Sequence, residues 1–570
     1  MEQAVPRSFM SESEPFAGRT AVVTGTTRGT SNPLTGIVPT PYTVRHLPGP
    51  ELALTPDTAV LATSDAARPV AERFVSEYFS DTAVRLTLIH DAAEAGGPVL
   101  EFRLDPQPDH AIPEATGIDP TGTDTDERYS IRIEAAGATL TAHTAAGLYR
   151  ASASLLQLAA AHRISGTGIT PMTVLDGPRY RWRGLSLDMA RYFFTVGELC
   201  RVIDLLAYYK LNVLHLHLTD NEGWRLQIPG HPALTEQTDD FLSVGEYAAI
   251  TDYARQRFIT IVPEIDMPGH IGAAAAAYPE IGTSAEADAR LPGLPATAFA
   301  YLDPDNQHAR RFVSDVLATV AELTPGPFVH IGGDETMFMP ADKYRRFIDF
   351  AATQLAERGK RVIAWQEAVR AEPDRIAMFQ YWNDMPPPPE LAQALDMIPP
   401  NHPLRAMAAT LLDSAVLDAF RSESTRAQAD PALLAQQSTP VLLSPATHVY
   451  LDRPYAEPPH DTSAHHPPLG HPLYEAWTIR RSWEWDPAQI LGDLAIGIAG
   501  VEAAVWCETV VSFADLGRLM LPRLAGTADR AWSLSTDHIW DEYRDRLAPH
   551  ARWWRQRGWD YFDSSLVDWA

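Results

Sequence analysis

Cysteine is nearly absent from this chain, with two in 570 residues, Cys200 and Cys507. One possible pair, far apart in sequence, defines no disulfide framework, and neither cysteine lies in a metal-type Cys-x-x-Cys. Positive charge is also short: 46 Lys plus Arg stand against 73 Asp plus Glu, a formal net charge of -27. A surface that acidic repels nucleic acid and anionic membranes, so neutral or cationic partners are expected. No run reaches the eighteen or more apolar residues of a membrane span. The opening segment MEQAVPRSFMSESEPFAG has no apolar stretch of the length a secretory leader needs. These lacks point to a soluble cytoplasmic protein that binds neither membrane nor nucleic acid.

What is present is an ordinary globular balance, 45% hydrophobic and 21% charged, with a high count of 14 tryptophans. The length exceeds one compact core and predicts two domains. Residues 1–40 are rich in Ser, Thr, Gly and Pro without periodicity and read as a poorly ordered lead-in. Over 41–178 short alternating runs predict strands at 84–89, 100–104, 129–133 and 138–142. A helix follows, with Leu148, Ala151, Leu155, Leu156 and Leu158 on its apolar face. Strands with a covering helix imply a small α+β domain, expected to stabilise or space and not to react.

From 179 to 570 apolar runs alternate with amphipathic helices, the pattern of parallel βα units. Eight strands are expected, at 184–187, 213–218, 260–264, 328–332, 361–365, 377–381, 440–443 and 500–505. Eight units in a row predict an α/β fold, a (β/α)8 TIM barrel preceded by the small domain. An insertion at about 384–439, with proline runs at 386–389 and 399–400 and a helix at 407–420, reads as a lid, a subunit contact or an inert excursion.

In such a barrel the active site lies at the C-terminal strand ends, where the βα loops meet. The residues there are Asp188 and Arg191, Asp220, Glu264, Asp266 and His270, then Asp334 and Glu335. Trp365, Gln366, Glu367, Trp382, Tyr450, Asp452, Trp506 and Glu508 complete the rim. Acids that bond hydroxyls and flat rings that stack on C–H faces are what a sugar pocket requires. Adjacent residues in an extended strand point to opposite faces, so Asp334 and Glu335 share a site only if the chain turns at Gly332-Gly333.

The run His330-Ile331-Gly332-Gly333-Asp334-Glu335 resembles the H-x-G-G-D-E signature of glycoside hydrolase family 20, the β-N-acetylhexosaminidases. The stretches 183–191, 210–225, 263–270 and 506–509 resemble that family's first, second, third and eighth strands, and the small α+β domain matches its layout. The resemblance implies exo-acting, retaining hydrolysis of terminal β-linked N-acetylhexosamine, in which the substrate's 2-acetamido oxygen attacks C1. No cofactor or metal is implied. Glu335 would be the general acid and Asp334 the partner of the acetamido N–H, with Asp220 and His270 orienting the acid. Arg191 would grip sugar hydroxyls with its planar fork. Trp365, Trp382 and Trp506 would wall the pocket, Tyr450 would donate to the acetamido carbonyl with Asp452 in support, and Glu508 would accept from the outer hydroxyls. Trp477 matches no motif and reads as packing, and Cys507 replaces a small polar residue. Release of a disaccharide, as by lacto-N-biosidases of the same family, is an alternative.

A metal-dependent hydrolase is the rival from another class, because His215-Leu216-His217 is an H-x-H on a strand. It needs more histidines at other strand ends, where Trp365 and Trp382 stand instead. A sugar-binding protein without activity is the third reading. Unchanged hydrolysis of an aryl N-acetylglucosaminide in excess EDTA is the expected result; loss in EDTA selects the metal reading, and no turnover at all selects the binding protein.

Overall fold

The computed structural model describes residues 36–107, 111–283, 300–336, 338–385, 414–461, 469–534 and 539–570. Most of the expected lead-in, the proline runs and the first half of the 407–420 helix lie outside these residues.

The first unit is a seven-stranded mixed sheet. Its spatial order is Thr43–His46, Met172–Asp176, Tyr129–Glu134, Gly137–Ala142, Val99–Leu104, Ala59–Ala62, Thr87–Ile89. The four strands expected from alternation are there, and Thr87–Ile89 is shorter than read: the preceding helix is capped by Ala83, and the Val84 N–H is taken by Thr82 Oγ1 at 3.0 Å. Three strands, Thr43–His46, Ala59–Ala62 and Met172–Asp176, were not expected. The helix Arg68–Thr82 was also missed, although Val70, Ala71, Phe74 and Tyr78 are buried at helical spacing. The long helix Ala145–Ser165 carries the predicted apolar face against this sheet.

The second unit is a closed parallel barrel of eight strands. In chain order they are Trp182–Asp188, Val213–His217, Thr260–Glu264, Phe328–His330, Arg361–Trp365, Ile376–Tyr381, Val441–Leu443 and Ile498–Val505. They depart from the expected runs by two residues at most at either end. The ring closes where Val505 pairs with Leu187 and Gly184 with Val213. The outer helices start at reciprocal caps. Thr195 accepts from the Glu198 N–H while the Glu198 carboxylate accepts from the Thr195 N–H, and Ser243 and Glu246 repeat the device. Leu199, Val202, Ile203 and Leu206 then form the face buried on the strands. Among the described residues no helix is long and apolar enough to cross a membrane.

Two buried acids join the units. Asp176, at the end of the last small-domain strand, accepts from Lys210 Nζ at 3.0 Å, Tyr129 Oη at 2.5 Å and Trp532 Nε1 at 2.9 Å. Glu127 takes Arg150 Nε and Arg183 Nη2, each at 2.7 Å. An ion pair sealed from water is costly to break from one side, because the surviving charge has lost its partner. Lys210→Ala is therefore expected to cost about 3–5 kcal/mol in urea unfolding. A loss below about 1 kcal/mol would show that the pair carries little.

Candidate active site

The fourth barrel strand stops at His330, and the next residues turn out of strand geometry. Gly332 and Gly333 have φ of 69° and 105°, a region that glycine enters freely. At Gly332 space forbids any other residue too, since a Cβ would sit 1.7 Å from Asp266 Oδ1. The Gly333 N–H donates to that same oxygen at 3.2 Å. Glu335 holds a left-handed φ of 49°, a strained choice for a non-glycine residue and one that clusters at working sites. The turn brings both carboxylates to one side, where His270 Nε2 lies 3.8 Å from Asp334 Oδ2 and 3.8 Å from Glu335 Oε2.

Behind His270 the contacts continue. Its Nδ1 is 3.0 Å from Asp220 Oδ1, and Arg191 Nη2 is 2.9 Å from Asp220 Oδ2. Arg191 also reaches Glu222 at 2.9 Å and stands over the Trp506 ring at 5.8 Å. The opposite wall is aromatic. Trp382 stacks on Tyr450 with centroids 6.1 Å apart and 6° between planes. Tyr450 meets Trp506 edge-on at 5.9 Å, and Trp506 lies 6.1 Å from Trp365. Asp452 accepts from the Trp506 N–H at 3.5 Å, and Asp452 and Arg191 both bear on the carboxyl of Glu508. These contacts bring together the eleven residues to which the sequence resemblance gives a role.

Burial drives the electrostatics of this pocket. It pushes the Glu335 carboxyl up to about 7, with the His270 charge opposing and Asp334 reinforcing. Glu508 is likewise pushed up to about 7 by burial, with Arg191 opposing. For His270 burial works against the charged form, but Asp220, Asp266 and Asp334 outweigh it and hold the ring well above its ordinary value. Asp220 is held low because Arg191, His270 and His217 outweigh its burial. Asp334 Oδ1 is buried with no hydrogen-bond partner among the described residues. A buried acceptor left open costs free energy unless something fills it.

The profile of glycosyl hydrolase family 20, catalytic domain, matches residues 180–343 and 405–535, and that of the family's domain 2 matches 34–176. The chain belongs to glycosyl hydrolase family 20. A family 20 β-N-acetylhexosaminidase from Streptomyces coelicolor A3(2) superposes with a TM-score of 0.74 at 32% identity, over 95% of this chain and 99% of its own. A mutant Streptomyces plicatus β-hexosaminidase, solved with its product GlcNAc, gives 0.72 at 31% identity, over 95% and 98%. A Cellulomonas fimi β-N-acetylhexosaminidase is 35% identical over 457 residues, 78% of this chain and 82% of its own.

Within this glycoside hydrolase the H-x-H histidines turn inward. His215 and His217 are buried against Glu264, Glu502 and Asp220, and the family match does not favour a metal hydrolase. Trp477 packs between Arg453 and Arg481, and Cys507 lies buried behind Asp188, to which its N–H donates at 3.0 Å. Sequence reasoning missed Tyr474, whose ring lies 6.2 Å from Tyr450 and whose hydroxyl is pushed well above its ordinary value by burial and by the charges of Asp452, Glu508 and Glu335. It sits in a long loop, and no spacing marks it. The insertion contributes as well. Its helix Asp430–Gln436 places Asp430 against Arg370 and Gln366, and Gln366 Oε1 accepts from the N–H groups of Trp382 and Asn383.

A carboxyl near 7 is mostly protonated in mildly acidic solution, so Glu335 can give up a proton below about pH 7 and has none to give well above it. Turnover that uses it as an acid should fall about tenfold per pH unit on that limb. A pH profile of kcat/KM checks this, and a rate still flat at pH 9 would contradict it.

Proposed function

We propose that this family 20 hydrolase is an exo-acting, retaining β-N-acetylhexosaminidase that removes terminal β-linked GlcNAc or GalNAc and draws its nucleophile from the substrate. The observation that carries the reading is Asp334 Oδ1, buried without a hydrogen-bond partner among the described residues in the residue next to Glu335. It is an acceptor in need of one N–H, and a 2-acetamido group supplies it. The relatives from Streptomyces and Cellulomonas carry the same activity in their names, and one holds GlcNAc as product.

In the first step the acetamido oxygen forms a bond to C1 as the bond from C1 to the leaving oxygen breaks. Glu335 gives its proton to that oxygen. A nucleophile built into the substrate brings effective concentration without a protein nucleophile. Asp334 holds the acetamido N–H and faces the positive charge of the oxazolinium ring. In the second step water attacks C1 from the vacated face, Glu335 takes the water proton, and the acetamido oxygen is released. Two inversions leave the anomeric configuration retained. Asp220 and His270 orient Glu335. Arg191 binds the inner ring hydroxyls and Glu508 the outer ones. Trp365, Trp382 and Trp506 enclose the sugar and the acetamido methyl, while Tyr450, supported by Asp452, donates to the acetamido carbonyl.

Glu335→Gln is expected to slow substrates with poor leaving groups on the order of 10² to 10⁴-fold and to spare those with acidic phenols. Equal losses across the series would remove Glu335 from the acid role. A thiazoline mimic of the cyclic intermediate should inhibit tightly, and Asp334→Asn should weaken that inhibition. Mass spectrometry after incubation with a 2-fluoro glycoside should find the enzyme unmodified; a stable adduct on any carboxylate would overturn the substrate-assisted reading.

A further inference from the structure

The barrel interior holds titratable groups that the steps above do not use. Each lies two places further along its strand than an apolar residue. His215 follows Val213, Glu264 follows Val262 and His330 follows Phe328. The apolar residues form a closed cluster at the lower end of the barrel. Interiors of this fold are usually filled by branched apolar side chains throughout. Here the polar layer begins on the side of the strand ends that bear the active site.

The contacts in that layer form one line. Glu502 accepts from Trp182 Nε1 at 2.8 Å and Gln380 Nε2 at 3.0 Å, and its Oε1 is 2.8 Å from His215 Nδ1. His215 Nε2 is 3.2 Å from Glu264 Oε2, and that oxygen is 2.6 Å from His217 Nδ1. His217 Nε2 lies 2.9 Å from Asp220 Oδ2, and Asp220 leads to His270. The side chains from Glu502 to Asp220 are all at most 1% exposed. A carboxylate only accepts, so a ring set between two of them needs hydrogen on both nitrogens and carries a positive charge. His217 is so placed; His215 donates to Glu502 through Nδ1, while its Nε2 lies 3.2 Å from Glu264 Oε2 without a hydrogen bond, and its positive charge is favoured by the two carboxylates beside it. Negative and positive groups therefore alternate from Glu502 to His270. Replacing such a buried chain by apolar groups is often neutral or stabilising, so stability alone gives weak reason for it.

We infer that Glu502, His215, Glu264 and His217 are positioning residues for the acid–base site, which hold Asp220 and His270 in place and set the charge that Glu335 faces. The inference rests on the reading of Glu335 as the acid. The groups that bear on Glu335 are His270, Asp334, Asp220, Arg191 and Tyr474. Those around His217 are Glu264, Asp220 and Asp266. Burial disfavours a charged His217, but Glu264 and Asp220 outweigh it; His215 reaches about 9 against the same opposition.

The test is the pH profile of kcat/KM for an alkyl β-N-acetylglucosaminide in full-length enzyme carrying His217→Gln or His215→Gln. Each change removes one positive charge from the line. The remaining anions then favour a protonated Glu335, so its basic limb should move to higher pH. The expected shift is about half to one unit for His217→Gln and less for His215→Gln, with kcat reduced more than KM is changed. Nitrogen NMR of histidine-labelled wild-type enzyme at pH 8 gives a second reading that needs no variant. It should show two rings with both nitrogens protonated beyond any accounted for by His270. A basic limb unmoved in both variants, or rings that are neutral at pH 8, would overturn the inference. A wild-type profile with no basic limb, or one that Glu335→Gln leaves unaltered, would instead overturn the acid assignment beneath it.

Discussion

Glu264 has no exposure to water, and polar side chains from three other barrel strands converge on its two oxygens. His217 Nδ1 at 2.6 Å from the second barrel strand and Trp365 Nε1 at 2.8 Å from the fifth hydrogen-bond to it, while His215 Nε2 lies 3.2 Å away and His330 Nδ1, which accepts from the Gly332 N–H, lies 2.9 Å away on the fourth. A buried carboxylate tolerates no vacancy among its partners, because desolvation has already cost several kcal/mol. The constraint works in both directions. These side chains must stand at one height in the barrel, and the strands that carry them are locked together at that height. The loop bearing Asp220, the loop bearing His270, the glycine turn and the Trp365 wall all leave the barrel within a few residues of these contacts. The pocket inherits its geometry from an ionic crossing below it.

That origin explains what the sequence could and could not reveal. Barrel strands such as Val213–His217 and Thr260–Glu264 were legible because both faces are buried, which leaves an apolar run of strand length. The glycine pair was legible because two adjacent carboxylates cannot share a side without a turn. The candidate site was legible through motif likeness, whose order along the chain fixed which strand ends to consider. The interior network was not, because it depends on register. Glu264 pairs with His217 on one side and His330 on the other, and Asp188 pairs with His217 in turn. Strand identity can be read from one segment at a time; register is a relation between segments.

The smaller misses have a similar cause. Thr43–His46 and Ala59–Ala62 are four residues each, too short to display a period against background. Tyr474 and Asp430 enter the pocket region from long connections, where side-chain direction follows from the path of the loop and not from any repeat. Asp430 acts at one remove: it fixes Gln366, whose amide oxygen ties down the backbone at Trp382.

The seam between the small sheet and the barrel has a meaning for how such enzymes can be recombined. Asp176 belongs to the sheet, while Lys210 and Trp532 belong to two distant parts of the barrel, and Tyr129 returns from the sheet. The joint is keyed by charge and shape, as a lock is to one cut of blade. A sheet grafted from a distant relative would bring its own acid, or none, to a socket already lined with an ammonium and an indole. Lineages that exchanged this domain would have had to exchange the socket too, and so the two units are bound to drift as one inheritance.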